Sequence, residues 1–118
     1  MKLDPDLQVT IDNYLDTVQS GASLSYQKRI WIKHEGPEVE DFQEFLCFLG
    51  DFGLHLDEKQ YKLSKHQLKL ISEYSKMVRY FHLNYSSEEE FIETPEWANA
   101  IKKANEILNA FGVKERFN

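Results

Sequence analysis

Residues 63–82 read LSKHQLKLISEYSKMVRYFH, and the first six of them spell out a helix start. Ser64 and Gln67 have the spacing of a capping box, in which the serine hydroxyl accepts from the Gln67 amide and the glutamine side chain returns to the Ser64 amide. Leu63 and Leu68 flank the box as a hydrophobic staple. Leu68, Leu70, Ile71, Tyr74, Met77, Val78 and Phe81 then recur on one arc of a 3.6-residue period, which predicts a helix from Lys65 to about His82 with one buried face. A helix of this kind needs others to cover it.

Three further segments supply them. Asp4 caps a first helix and Pro5 takes the position where a missing N–H costs nothing; the helix is expected over 5–19, ended by Gly21. Its stripe is Leu7, Ile11, Tyr14, Leu15 and Val18. A second helix is expected over 37–52, opening at Gly36-Pro37 with Glu38, Glu40 and Asp41 where the helix dipole favours negative charge. Its stripe is Val39, Phe42, Phe45, Leu46, Leu49 and Phe52, with Cys47 and Phe48 outside that arc. The last helix is expected over 95–111 behind Thr94-Pro95, with Trp97, Ala100, Ile101, Ala104, Ile107, Leu108 and Phe111 on one stripe, closed by Gly112 and by Val113 folding back on Leu108 as in a Schellman motif. Between the third and fourth helices an acidic turn follows Ser86 and Ser87, with Ser87 and Glu90 spaced as a second capping box.

Residues 20–36 read differently. Leu24, Tyr26, Ile30 and Ile32 alternate with polar residues, which suggests a strand through Arg29–Lys33 that would pair with residues 54–56 or 60–63 in a small hairpin. Trp31 and Tyr26 in this segment are better read as core plugs than as interface anchors, because a small bundle needs large side chains to bury enough area. The fold class is therefore all-α or mostly α: a four-helix bundle with a minor β-hairpin or ordered loop at one end.

Composition agrees. The chain has 118 residues, 42% of them hydrophobic, which suits one helical domain spanning 1–118 and argues against disorder. No stretch reaches the roughly 18 uninterrupted apolar residues of a membrane span, and the start Met1-Lys2-Leu3-Asp4-Pro5-Asp6 is acidic before any signal-type apolar run. A cytoplasmic protein without a membrane partner is the expectation. Cys47 is the single cysteine and cannot form an internal disulfide.

The charge is sorted along the chain. Twenty acidic against 14 basic residues leave a net −6, but residues 35–58 hold eight acids and no Lys or Arg, while residues 59–85 hold six bases and one acid. Residues 86–96 add five more acids. On the second helix Glu40, Glu44 and Asp51 are expected opposite the apolar stripe, with Cys47 among them and Phe48 beside it. On the third, Lys65, Lys69, Lys76 and Arg79 form a basic stripe with Ser72 and Tyr80. Solvated faces joined by a few cross-helix ion pairs would account for such runs. An apolar centre of Cys47 and Phe48 inside a charged rim is also how interfaces are built.

Catalytic signals are weak. His34, His55, His66 and His82 show no i, i+4 ligand pair, and a metal shared by His55 with Asp51 or Glu58 amounts to an ordinary polar contact. No cofactor or metal is implied, and there is no phosphate loop or nucleophile elbow. Arg29 and His34 are spaced as in the helical nucleases of the HEPN type, a resemblance of two residues that those proteins carry within a helix. Nucleic-acid binding has the basic stripe in its favour and the acidic balance against it. The reading that results is a non-catalytic acidic binding protein, for instance an inhibitor or immunity-type protein masking a cationic partner such as a toxin nuclease. Its partner would be a protein with a basic surface, engaged by Glu40, Glu44, Cys47, Phe48 and Asp51, with the basic stripe as a secondary face. A homo-oligomer is the alternative, and a small helical nuclease or nucleic-acid-binding domain the third.

Overall fold

Three of the helix starts marked in the sequence are made by the expected side chains. Asp4 accepts from the Asp6 amide at 2.9 Å, Ser64 and Gln67 close both arms of the capping box, and Thr94 accepts from the Trp97 amide at 3.2 Å. The computed structural model describes the backbone of residues 4–36, 40–53 and 61–114, and their side chains except at 51–53. Its α-helices are α1 (Pro5–Gly21), α2 (Leu24–Tyr26), α3 (Phe42–Gly53), α4 (Lys65–Asn84) and α5 (Pro95–Ala110). A π-helical segment, Gln27–Ile32, continues α2, and a 3-10 turn, Glu88–Glu90, precedes α5. The fold is a small all-α bundle, and the described residues contain no strand.

α1 lies against α3 and α5, and α4 packs on α5. The faces turned inward are the arcs read from the sequence: Ile11, Tyr14, Leu15 and Val18 from α1, Leu70, Ile71, Tyr74, Val78 and Phe81 from α4, and Trp97, Ala100, Ala104, Ile107 and Leu108 from α5. An aromatic cluster occupies one end of this core. Phe91 and Trp97 stand 4.7 Å apart by ring centroid, Phe81 and Trp97 5.0 Å, and Trp31 and Phe45 5.1 Å. Such pairs contribute about 0.5–1.5 kcal/mol each beyond the area they bury. Trp31 and Tyr26 are both buried, as core plugs should be.

The strand expected at Arg29–Lys33 is a helical segment instead. Lys33 donates its amide to the Lys28 carbonyl at 3.0 Å, the i to i−5 bond of a π turn. The buried residues are Tyr26, Gln27, Ile30 and Trp31, an i, i+1, i+4, i+5 set that fits a helix, whereas Leu24 and Ile32, which produced the alternation, are exposed and half-buried. A polar residue hid the helical arc. Gln27 is fully buried because its amide nitrogen donates to the Ser20 carbonyl at 2.9 Å while its carbonyl accepts from Trp97 Nε1 at 2.7 Å. Of the proposed pairing partners, residues 54–60 lie outside the described residues.

Two boundaries also move. α3 begins at Phe42, not at 37, because Asp41 acts as its cap and accepts from the Glu44 amide at 2.9 Å; residues 37–39, with Val39, lie outside the described residues. In the acidic turn, Glu90 reaches back to the Ser86 amide at 2.8 Å, so the expected Ser87 box is replaced by a link one residue earlier. The end of α5 is the expected Schellman motif, with Val113 donating to the Leu108 carbonyl at 2.9 Å and Gly112 at φ +73°.

Gly21 is in the fold for a reason other than stopping a helix. It is the last residue of α1, and a Cβ there would overlap the Tyr74 hydroxyl and stand 2.9 Å from Phe45 Cζ. Its missing side chain lets α3 and α4 close on the end of α1.

Candidate functional site

The acidic site anticipated on the second helix is only partly assembled there. Glu44 and Cys47 are exposed on α3, and Phe48 is 39% exposed beside them. Asp51 belongs to α3, but its side chain lies outside the described ones. Glu40 departs from the expectation: it precedes the helix and turns inward, accepting from Trp31 Nε1 at 2.7 Å. Burial pushes its carboxyl above the usual carboxylate range, hydrogen bonds from Trp31, Tyr26 and Ser20 pull the other way, and Glu44 adds a smaller upward push. Glu40 is thus a structural acceptor that ties the segment before α3 to the π segment.

What the bundle adds to the acidic face comes from the other end of the sequence. Asp41 and Gln43 at the start of α3, and Ser87 and Glu88 before the 3-10 turn, line one shallow depression of about 100 Å³. The acidic segments 35–58 and 86–96, with Asp41 and Glu88 47 positions apart in the chain, therefore share an edge. Asp41, Glu44, Glu89 and Glu90 are exposed, and Glu88 is half-buried. None of these five is in an ion pair among the described residues; Glu93, further along the same segment, pairs with Lys28 at 2.6 Å.

The basic stripe lies where it was expected. Lys65, Lys69, Ser72, Lys76, Arg79 and Tyr80 are all exposed on α4. Among the described residues no ion pair joins α4's stripe to α3; the pairs present are Lys28 with Glu93 and Lys103 with Glu73 and Glu106.

Between α3 and α4 runs an open groove of about 290 Å³ whose floor is Tyr14, Leu46, Leu49, Ile71 and Val78. Ser75, Arg79 and His82 form its α4 edge, and Gly50 interrupts its α3 wall. This glycine has ordinary helical φ, and no described atom approaches within 4 Å of where its Cβ would be. A glycine inside a helix costs about 1 kcal/mol against alanine, and neither backbone geometry nor a described neighbour requires one here.

The chemistry-bearing residues do not converge. Arg29 and His34 are both exposed, with Arg29 5.9 Å above the Tyr26 ring and His34 in the left-handed region at φ +54°. Neither lines the groove or the acidic depression. His66 is exposed on α4, His82 stands between the groove and the depression, and His55 lies outside the described residues. No cluster of three metal-ligating side chains occurs among the described residues, and none of their helices is long and apolar enough to cross a membrane.

Sequence reasoning missed Gln27 and Asn105. Asn105 donates to the Ala22 carbonyl at 3.2 Å, closing the end of α1 from α5. Each looks like an ordinary surface amide in the sequence; only the apolar residues crowded around Gln27 hinted otherwise. No protein-family model, curated protein or solved structure matches the chain.

Proposed function

We propose that this is a non-catalytic binding protein of the cytoplasm whose acidic end docks a protein with a basic surface, in the manner of an inhibitor or immunity protein masking the cationic site of a toxin nuclease. The observation that carries the reading is the shared depression of Asp41 and Glu88, which joins two acidic segments into one surface. Clustered charge of one sign raises the association rate with an opposite surface and loses that advantage as salt screens it. Glu44, Cys47 and Phe48 are exposed further along α3, on the helix whose first turn lines the depression. Relative to the expectation from sequence, the docking surface shifts away from Glu40 and gains Asp41 and Glu88.

The test is capture of a basic partner from lysate with the intact chain, at low and high salt, by wild type, by the triple variant Asp41→Lys, Glu44→Lys, Glu88→Lys, and by Lys65→Glu with Lys69→Glu. Capture of a basic protein that is lost in the triple variant and in high salt, and kept by the α4 variant, supports the proposal. Capture that survives the triple reversal in a folded protein overturns it, as does capture lost only when α4 is reversed.

A further inference from the structure

We infer that the groove between α3 and α4 is a binding site for a small amphipathic carboxylate, an apolar body of about eight carbons bearing one anionic head. Three observations point to it. The floor is apolar along its length, formed by Leu46 and Leu49 from α3 and Ile71 and Val78 from α4 over the Tyr14 ring. The edge is cationic: Ser75 and Arg79 sit one helical turn apart on α4, none of the described lining residues is a carboxylate, and Arg79 forms no ion pair among the described residues. Gly50, finally, leaves a gap in the α3 wall that no described atom fills.

The volume sets the size of the occupant. At about 290 Å³ the groove stands at the small end of the roughly 300–1,000 Å³ range of ligand pockets, which suits a small occupant. The sign follows from the edge, since an unpaired guanidinium beside a hydroxyl offers charge-assisted hydrogen bonds to a carboxylate and nothing equivalent to an ammonium. His82 borders both the groove and the depression holding Asp41 and Glu88, whose charge disfavours an anion there, so the head group belongs at Ser75 and Arg79. The apolar body then runs over Leu46 and Leu49 past Gly50. The groove adjoins the acidic depression at His82, but the inference does not depend on the docking proposal.

Octanoate is the probe, titrated below its micelle threshold into the full chain and followed by calorimetry and amide chemical shifts, with octanol and octylamine as neutral and cationic matches. Saturable octanoate binding with shifts at Gly50, Ile71 and Val78 is expected, with octanol about tenfold weaker or worse, as the loss of hydrogen bonds to a charged group implies. Arg79→Gln should weaken octanoate by a similar factor and leave octanol unchanged. A Cβ at Gly50 meets no described neighbour, and leucine is the better helix former, so Gly50→Leu should fold at least as well as wild type, narrow the groove and lose octanoate. Should that variant misfold, Ser75→Leu blocks the same groove from an exposed position. The inference is overturned if octanoate does not saturate, if octanol or octylamine binds as well, or if a folded groove-filled variant binds octanoate with unchanged affinity.

Discussion

The Tyr74 hydroxyl lies in the space that a side chain on Gly21 would need, and it has no hydrogen-bond partner among the described residues. The contact is tight, and it places an unsatisfied polar atom in the core. Burial holds the phenol well above its ordinary range, so it stays neutral. Gly21→Ala should lose about 1–3 kcal/mol to overpacking, in spite of alanine's better helix propensity. Tyr74→Phe should match wild type or exceed it by up to about 1 kcal/mol, because it deletes an orphaned hydroxyl. The double variant should recover part of the Gly21→Ala loss and not all of it, since Phe45 Cζ remains 2.9 Å away. Denaturant unfolding of the four proteins gives the coupling directly, and additive losses would show that the two residues do not share this space.

Glu40 and Trp31 make a second test. Glu40→Leu should cost about 1–3 kcal/mol, as the indole N–H loses its acceptor, and should shift Trp31 fluorescence. The pH dependence has a definite sign. A carboxyl raised by burial binds its proton more tightly in the folded state, so its contribution to stability is fully present below the unfolded value and is lost as pH rises through the folded one. The advantage of wild type over Glu40→Leu should therefore be larger in mild acid than at neutral pH. An advantage that grows with pH would contradict the burial.

Gln27 joins two helices by hydrogen bonds at both ends of its amide. Gln27→Leu keeps the volume but strands the Ser20 carbonyl and the Trp97 indole N–H in the core, and should cost about 2–4 kcal/mol. The measurement is the denaturation midpoint at constant slope. A neutral result would mean that the amide is not the bridge between α1 and α5.

At the start of α4, Ser64→Ala should cost about 1 kcal/mol, the usual value for a lost cap. Gln67→Ala should cost more, about 1–2 kcal/mol, because Gln67 also donates from Nε2 to the Ala110 carbonyl at 3.1 Å, tying the start of α4 to the end of α5. Equal losses would show that the tie to α5 adds nothing to the box.

Where a structural choice is made by residues within one helical turn of each other, it is legible in the chain. Asp4, Ser64 with Gln67, Thr94 and Gly112 state their caps locally, and the periodic arcs of α1, α4 and α5 follow from the same short range. The π segment was misread because its central buried residue is a glutamine, whose burial depends on Trp97, seventy positions away. The candidate site divides in the same way. The basic stripe of α4 lies on one helix and was visible in its spacing, while the acidic face needed Asp41 and Glu88 to meet and Glu40 to turn toward Trp31.

The amino-acid sequence by itself thus determined the helical class, three of the helix starts, the buried arcs and the sorting of charge into blocks. Folding decided which acidic blocks share a surface, why Gly21 must be small, and that a groove opens between α3 and α4. The physical reason is range: caps and periodicity are set by neighbours along the chain, whereas burial of a polar group and the pooling of charge depend on partners that only packing brings close.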